Sequence, residues 1–237
     1  GIAIASALNE QAMVVFISEI TSIIAGAVPG TTQWIQKQIL GFQYGDAVQV
    51  NADGTISYPL IDSSVQIITN AAVTVNGSGI ISAKVASNGA PITSAQKTAL
   101  LAYLQAILAA GQNVFIINVV ADLISVSGTV YYNGQYANSI QSSVIAALAN
   151  YITQFSTVNF NGLVKLTDIE TVIKGVEGVV DFQPRNITLT PSVGSHIELI
   201  NASLILQRSY LTYSGYLANA ESPNDFASTL TFVTANQ

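Results

Sequence analysis

The sequence predicts an α+β fold with an N-terminal helical hairpin, a β-rich middle region and a C-terminal module of strands with two packed helices. Three observations predict it. From Val119 to Leu189 apolar residues first alternate with period two and then recur twice at helical spacing. From Tyr44 to Ser87 short apolar runs are separated by Asn-Gly and Asp-Gly turn signals. Before Tyr44, one apolar stripe of helical period stops at Val28-Pro29-Gly30 and another follows it.

The first stripe is Met13, Phe16, Ile17, Ile20, Ile23, Ile24 and Ala27, and it carries Glu19 within it. Its apolar run of about 16 residues is shorter than the roughly 20 that cross a bilayer. It predicts a core or interface helix rather than a membrane span, and Glu10 to Val28 is the expected contact for assembly. No basic stretch of the signal-peptide kind precedes it. The chain opens at Gly1 instead of Met, which predicts a processed or trimmed product. Proline and glycine stop this helix, and Thr31 or Thr32 is the expected cap of a second one with Trp34, Ile35 and Ile39, ending by Gly41. Residues 1–43 are thus read as a helical region.

Residues 44–88 are read as a β-rich domain or insertion, with strands at Ala47–Val50, Thr55–Leu60, Val65–Val75 and Gly79–Ala86. Asn51-Ala52-Asp53-Gly54 and Asn76-Gly77 are the turns between them, because these residues tolerate positive φ. Asn88-Gly89-Ala90-Pro91 marks the clearest boundary. Beyond it, Thr93 and Gln96 have capping-box spacing ahead of a helix bearing Leu100, Leu101, Leu104, Ile107 and Leu108, with Gly111 as its stop. Two further helices are expected to open in the same way, Asn138 with Gln141 and Thr167 with Glu170. Their stripes are Ile140, Val144, Leu148, Tyr151, Ile152, Phe155, and Ile169, Val172, Ile173, Val176. Each needs a partner surface, and the strand bearing Ile124, Val126, Val130 and Tyr132 supplies one. Residues 89–190 are read as this α+β module, the helix from Thr93 included. Residues 191–237 are read as C-terminal strands at His196–Gln207, Ser209–Tyr216 and Ser228–Thr234.

Composition limits function. Half of the 237 residues are hydrophobic and 8% are charged, against about 25% in an ordinary soluble domain. Such a surface suits a subunit in an assembly, or a protein outside the cell. The seven basic residues are scattered and the net charge is −6, so the clustered Lys and Arg that neutralise phosphates are missing and nucleic acid is not an expected partner. With no cysteine there is no disulfide framework, thiolate metal site or thiol nucleophile.

The candidates for chemistry reduce to structural roles. His196 follows Ser195 and precedes Glu198. Neighbours on a strand point to opposite faces, and no G-x-S-x-G elbow accompanies them, so a Ser/His/acid triad is not expected. Asn51-Ala52-Asp53-Gly54 lacks the further acidic ligands of a calcium loop. Asn76-Gly77-Ser78-Gly79 is followed by a β-rich stretch, not by the helix that a phosphate cradle needs. Asp168 and Glu170 lie in a first helical turn, where acids complement the helix dipole. Tyr131, Tyr132 and Tyr136, and Tyr210, Tyr213 and Tyr216, are interface, sheet or sugar-binding candidates. The reading is of a non-enzymatic protein with no catalytic, cofactor-binding or metal-binding residues and no small-molecule substrate; a hydrolase is disfavoured for want of converging titratable groups.

One pattern points further. Ile124-Ser125-Val126-Ser127-Gly128-Thr129-Val130 is followed by a helix and then by Leu166, Ile169, Val172, Ile173, Val176, Gly178, Val179, Val180 and Asp181 in the order L-x-x-I-x-x-V-I-x-x-V-x-G-V-V-D. This resembles the C-terminal module of phage baseplate J-like wedge proteins of contractile tails, over roughly a third of the chain. The resemblance implies a virion component that is assembled in the host cytoplasm, resides in the tail baseplate, bridges hub to periphery, and self-associates into a ring or wedge with other baseplate or tail proteins. The alternative is an extracellular adhesin or fimbrial-type structural protein, which the low charge and the Asn, Ser, Thr and Tyr content also fit.

Overall fold

A computed structural model describes residues 11, 13–16, 28–220 and 225–235, and they form an α+β protein. Gln11 and Met13–Phe16 are helical, while the rest of the first predicted helix lies outside the described residues. The chain divides into two compact units, one within residues 1–83 and 92–116, the other within 84–91 and 117–237.

In the first unit, helix α1 (Thr32–Leu40) starts where Thr31 accepts a hydrogen bond from the Trp34 amide at 3.2 Å. It buries Ile35 and Ile39. The expected turns form. Asn51 to Thr55 closes the hairpin of β1 (Gln49–Val50) and β2 (Ile56–Ser57). The Asn76 side chain accepts from the Ser78 and Ile80 amides between β3 (Asn70–Val75) and β4 (Ile81–Ala86). With β5 (Val114–Ile117), these last two make a three-stranded sheet in the order β3-β4-β5; the chain passes from the first unit to the second within β4, after Ala83, and within β5, after Ile116. Helix α2 (Ser94–Ile107) has the predicted capping box: the Gln96 amide reaches Thr93 Oγ1 at 3.2 Å and the Thr93 amide reaches Gln96 Oε1 at 2.8 Å. Its Tyr103 ring lies 5.5 Å from Phe42 and stacks 5.4 Å from Tyr58, and the Tyr103 hydroxyl donates to Gln38 at 2.9 Å. This packing groups α2 with the first unit, whereas the sequence reading joined it to the module that follows. A stripe such as Leu100 and Leu104 says that a face must be covered, not which element covers it.

The second unit is built on a six-stranded sheet, with β10 (Leu204–Ile205), β9 (Ile197–Asn201), β8 (Val179–Thr190), β6 (Asp122–Tyr132) and β12 (Leu217–Asn219) in that order and β13 (Leu230–Thr234) as the sixth strand, also paired to β6. Strands β6 (Asp122–Tyr132) and β8 (Val179–Thr190) form its antiparallel centre, pairing Ile124 with Leu189, Val126 with Ile187 and Val130 with Phe182. Those six side chains are buried in one core with Ile140, Val144, Leu148, Tyr151 and Phe155 of α3 (Ile140–Phe155) and Leu166, Ile169 and Ile173 of α4 (Leu166–Lys174). Both predicted helices therefore pack on the predicted strand. Ile152, Val172 and Val176 flank the core and are partly buried.

Two caps differ from expectation. Helix α3 is preceded by Ser139, without a side-chain cap, because the chain enters it from a 3-10 turn at Gly134–Tyr136 that Asn133 caps instead. Helix α4 begins at Leu166, before Thr167, because β7 (Leu163–Lys165) runs straight into it and the Leu166 amide bonds the Arg208 carbonyl at 3.0 Å. A distant segment of the same chain satisfies what a side chain would otherwise cap.

The strand predicted at His196–Gln207 is a hairpin of β9 (Ile197–Asn201) and β10 (Leu204–Ile205), turned by Ala202 and Ser203 at φ 47° and 67°. Strand β11 (Ser209–Leu211) pairs with β7. The chain then crosses to the far side of β6, where β12 (Leu217–Asn219) and β13 (Leu230–Thr234) run parallel to it.

Candidate functional site

A buried polar cluster of the second unit surrounds the first residue of β6. The alternation that buries Ile124, Val126 and Val130 also turns Asp122 inward, and Asp122 is fully buried. A buried carboxylate is tolerated only when hydrogen-bonded. Asp122 accepts from the Tyr210 hydroxyl at 2.9 Å, the Tyr213 amide at 2.5 Å and the Ser214 amide at 3.2 Å. Ser214 Oγ accepts from the Asp122 amide at 3.0 Å and donates to the Tyr216 carbonyl at 2.8 Å. The chain from Tyr210 to Tyr216 is thereby wrapped around one carboxylate and delivered to β12, whose Leu217 pairs with Asp122. Burial, then the bond to Asp122, pushes the Tyr210 phenol above its ordinary value, and burial, then the Asp122 charge, pushes Tyr216 up to about 12.

Lys84 lies beside this loop. Its Nζ donates to Asn161 Oδ1 at 2.6 Å and to the Thr212 carbonyl at 2.5 Å. Burial pulls its pKa below the usual amine value, while the Asp122 charge acts in the opposite direction. Asn161 occupies the left-handed region at φ 62°, its amide bonded to the Gly215 carbonyl at 2.7 Å. The Thr212 hydroxyl donates to the Gly162 carbonyl at 3.2 Å. Lysine, amide and carboxylate are thus gathered from β4, the turn after α3 and the start of β6.

The residues singled out from the sequence are dispersed. Ser195 and His196 precede β9, and both are exposed. His196 Nδ1 is 3.1 Å from Thr190 Oγ1, and its Nε2 is 3.9 Å from Glu198. Asp168 sits in the first turn of α4, as expected. Glu170 lies one turn before Lys174 in α4, and Lys174 pairs with Asp181 at 2.8 Å. Asp53 accepts from the Thr55 amide and hydroxyl inside its turn. Among the described residues no group of three or more His, Cys, Asp or Glu is arranged to hold a metal, and no helix is long and apolar enough to cross a membrane.

The tyrosine clusters separate. Tyr210 and Tyr216 belong to the Asp122 network, whereas Tyr136 bonds Glu177 at 2.8 Å and Tyr131 bonds Gln183 at 3.3 Å at the surface. Two open depressions are notable. One of about 540 Å³, in the first unit, is lined by Phe42, Tyr44, Asp46, Ala102, Tyr103 and Ala106, among others. The other, of about 280 Å³ in the second unit, lies between Tyr151, Phe155, Asn159, Phe160, Lys165 and Asp168. His196 lines neither, and the smaller one carries a charge of each sign, Lys165 and Asp168.

Sequence reasoning overlooked Asp122, Lys84 and Asn161. For Asp122 a signal exists, since its phase along β6 is that of Ile124 and Val126. Lys84 and Asn161 lie 77 positions apart and carry none. No family model matches the chain, and no curated protein matches it.

Proposed function

We propose that this chain is a structural subunit of a contractile phage tail or related injection machine, a baseplate wedge component that works through protein-protein interfaces in the virion. The observation that carries the reading is apolar exposure on a chain with few charges. Leu204 and Ile205 of the outer strand β10, and Leu206 just after it, are 65%, 46% and 52% exposed. An outer strand offers unpaired backbone groups to a neighbouring chain, and apolar side chains on it favour such pairing. Met13 to Phe16 add four more exposed apolar side chains in a row. The order strand, helix, helix, strand, in which α3 and α4 share a core with β6 and β8, supports the likeness to J-like wedge modules.

The test is co-expression with candidate hub, wedge and tube proteins, followed by affinity capture. Stoichiometric recovery of a complex, weakened by Leu204→Glu with Leu206→Glu, supports the proposal. Failure to bind any tail protein, together with binding to glycans or host surfaces, replaces it with the adhesin reading.

A further inference from the structure

The contact between Lys84 and Asn161 has the composition of a self-crosslinking pair. A lysine amine and an asparagine carboxamide meet at a part-buried contact of the second unit, and the peptide whose carbonyl also holds the amine is bonded through its N–H to a buried carboxylate. We propose that Lys84 and Asn161 join in an intramolecular isopeptide bond, with Asp122 as the residue that positions the partners. The inference does not rest on the assembly reading.

The distance supports it first. Nζ is 2.6 Å from Asn161 Oδ1, and a carbonyl bond adds about 1.2 Å, so Nζ lies at most about 3.8 Å from Cγ. Reacting atoms of a near-attack arrangement are about 3–3.5 Å apart; a small rotation of the amide closes the difference. Both partners are also held. Asn161 is fixed through its amide to Gly215. Lys84 is fixed by the Thr212 carbonyl, two residues from where Asp122 binds the Tyr210 hydroxyl and next to the Tyr213 amide that Asp122 also binds.

The chemistry balances without a co-reactant. The neutral amine of Lys84 attacks Cγ of Asn161, forming the new C–N bond. The amine loses a proton and the departing Nδ2 group gains one. The old Cγ–Nδ2 bond breaks, and ammonia leaves. No oxidant or reductant is consumed. Attack needs the uncharged amine, and burial favours that form of Lys84. The product ties β4 to the turn after α3 and closes a loop from residue 84 to residue 161, a constraint that persists when the fold is pulled or heated.

One side reaction has the same mass signature. Asn161 precedes Gly162, and a succinimide formed on the Gly162 amide also expels ammonia. The Gly162 amide is engaged by the Asn159 carbonyl at 2.8 Å, which opposes that closure.

The experiment is intact-mass spectrometry of the purified folded chain, followed by peptide mapping. The expected result is a mass one ammonia below that of the sequence, with the peptide containing Lys84 joined to the one containing Asn161. Lys84→Arg and Asn161→Ala, checked for native circular dichroism, should each restore the full sequence mass. Folded wild-type protein that keeps its full mass after prolonged incubation overturns the proposal. So does a mass loss that survives in Lys84→Arg, which identifies a succinimide instead. If either variant misfolds, the joined peptide in wild type decides by its presence or absence.

Discussion

Removing the carboxylate at Asp122 is the sharpest test of how the second unit is held together. Asp122→Ala takes the acceptor from the Tyr210 hydroxyl and the Ser214 amide, and leaves the Tyr213 amide only the Tyr210 hydroxyl at 3.3 Å. Each unsatisfied donor in a buried place costs about 1–3 kcal/mol. Relief of the buried charge's desolvation offsets part of this, so the net cost is about 3–5 kcal/mol, inside the summed range for the lost bonds. At about 2–4 °C per kcal/mol for a chain of this size, melting should fall by about 6–20 °C. Asp122→Asn keeps one acceptor but points an amide donor at groups that are themselves donors, and should cost roughly 2 kcal/mol or more. Thermal and urea unfolding followed by circular dichroism measure these costs, and hydrogen exchange of residues 209–219 locates them. A double mutant with Tyr210→Phe should be less damaged than the sum of its parts, since the two share one bond. Asp122→Ala within about 0.5 kcal/mol of wild type, with 209–219 equally protected, refutes the argument.

The other predictions concern glycine, caps and tyrosines. A Cβ at Gly128 would fall 2.5 Å from the Gln183 carbonyl oxygen and 2.7 Å from the Phe182 ring, so Gly128→Ala should destabilise by about 1–3 kcal/mol in thermal melts; an unchanged melt contradicts the close approach at this bulge. Thr93→Ala should cost about 1 kcal/mol because it removes a formed capping box, while Asn138→Ala and Thr167→Ala should each stay below about 0.5 kcal/mol in urea titration. Burial raises the phenols of Tyr103, Tyr151 and Tyr210 above the ordinary value. These phenols are held neutral in the fold, so their contribution to stability is intact below the ordinary value of about 10 and is lost as pH climbs through the raised values. Tyrosinate absorbance should therefore show a late phase that coincides with loss of ellipticity; ionisation of all ten tyrosines near pH 10 with ellipticity intact contradicts this.

How much of this was legible follows from what each residue needs. Val126, Val130, Leu148 and Ile173 announce themselves by period, because a strand face and a helix stripe repeat locally. Thr93 with Gln96 was readable for the same reason, since both partners lie within one turn. The spacing of Thr167 with Glu170 misplaces the start of α4 because the Leu166 amide is met by the Arg208 carbonyl, 42 positions away and invisible to local spacing. The grouping of α2 with Phe42 and Tyr58 was hidden likewise. The polar cluster was the least legible part: Asp122 shows in its strand phase, but Lys84, Asn161 and Thr212 converge only through the course of the whole fold.

The central claim is that this chain works by assembling through largely uncharged surfaces. Sedimentation velocity over a range of protein concentrations, at low and high salt and with and without a co-expressed tail protein, tests it directly. The account predicts concentration-dependent association, or recruitment by the tail protein, that changes little with salt, because contacts made of apolar area and neutral hydrogen bonds are weakly screened. A monodisperse monomer under every condition, with no recruitment, contradicts it.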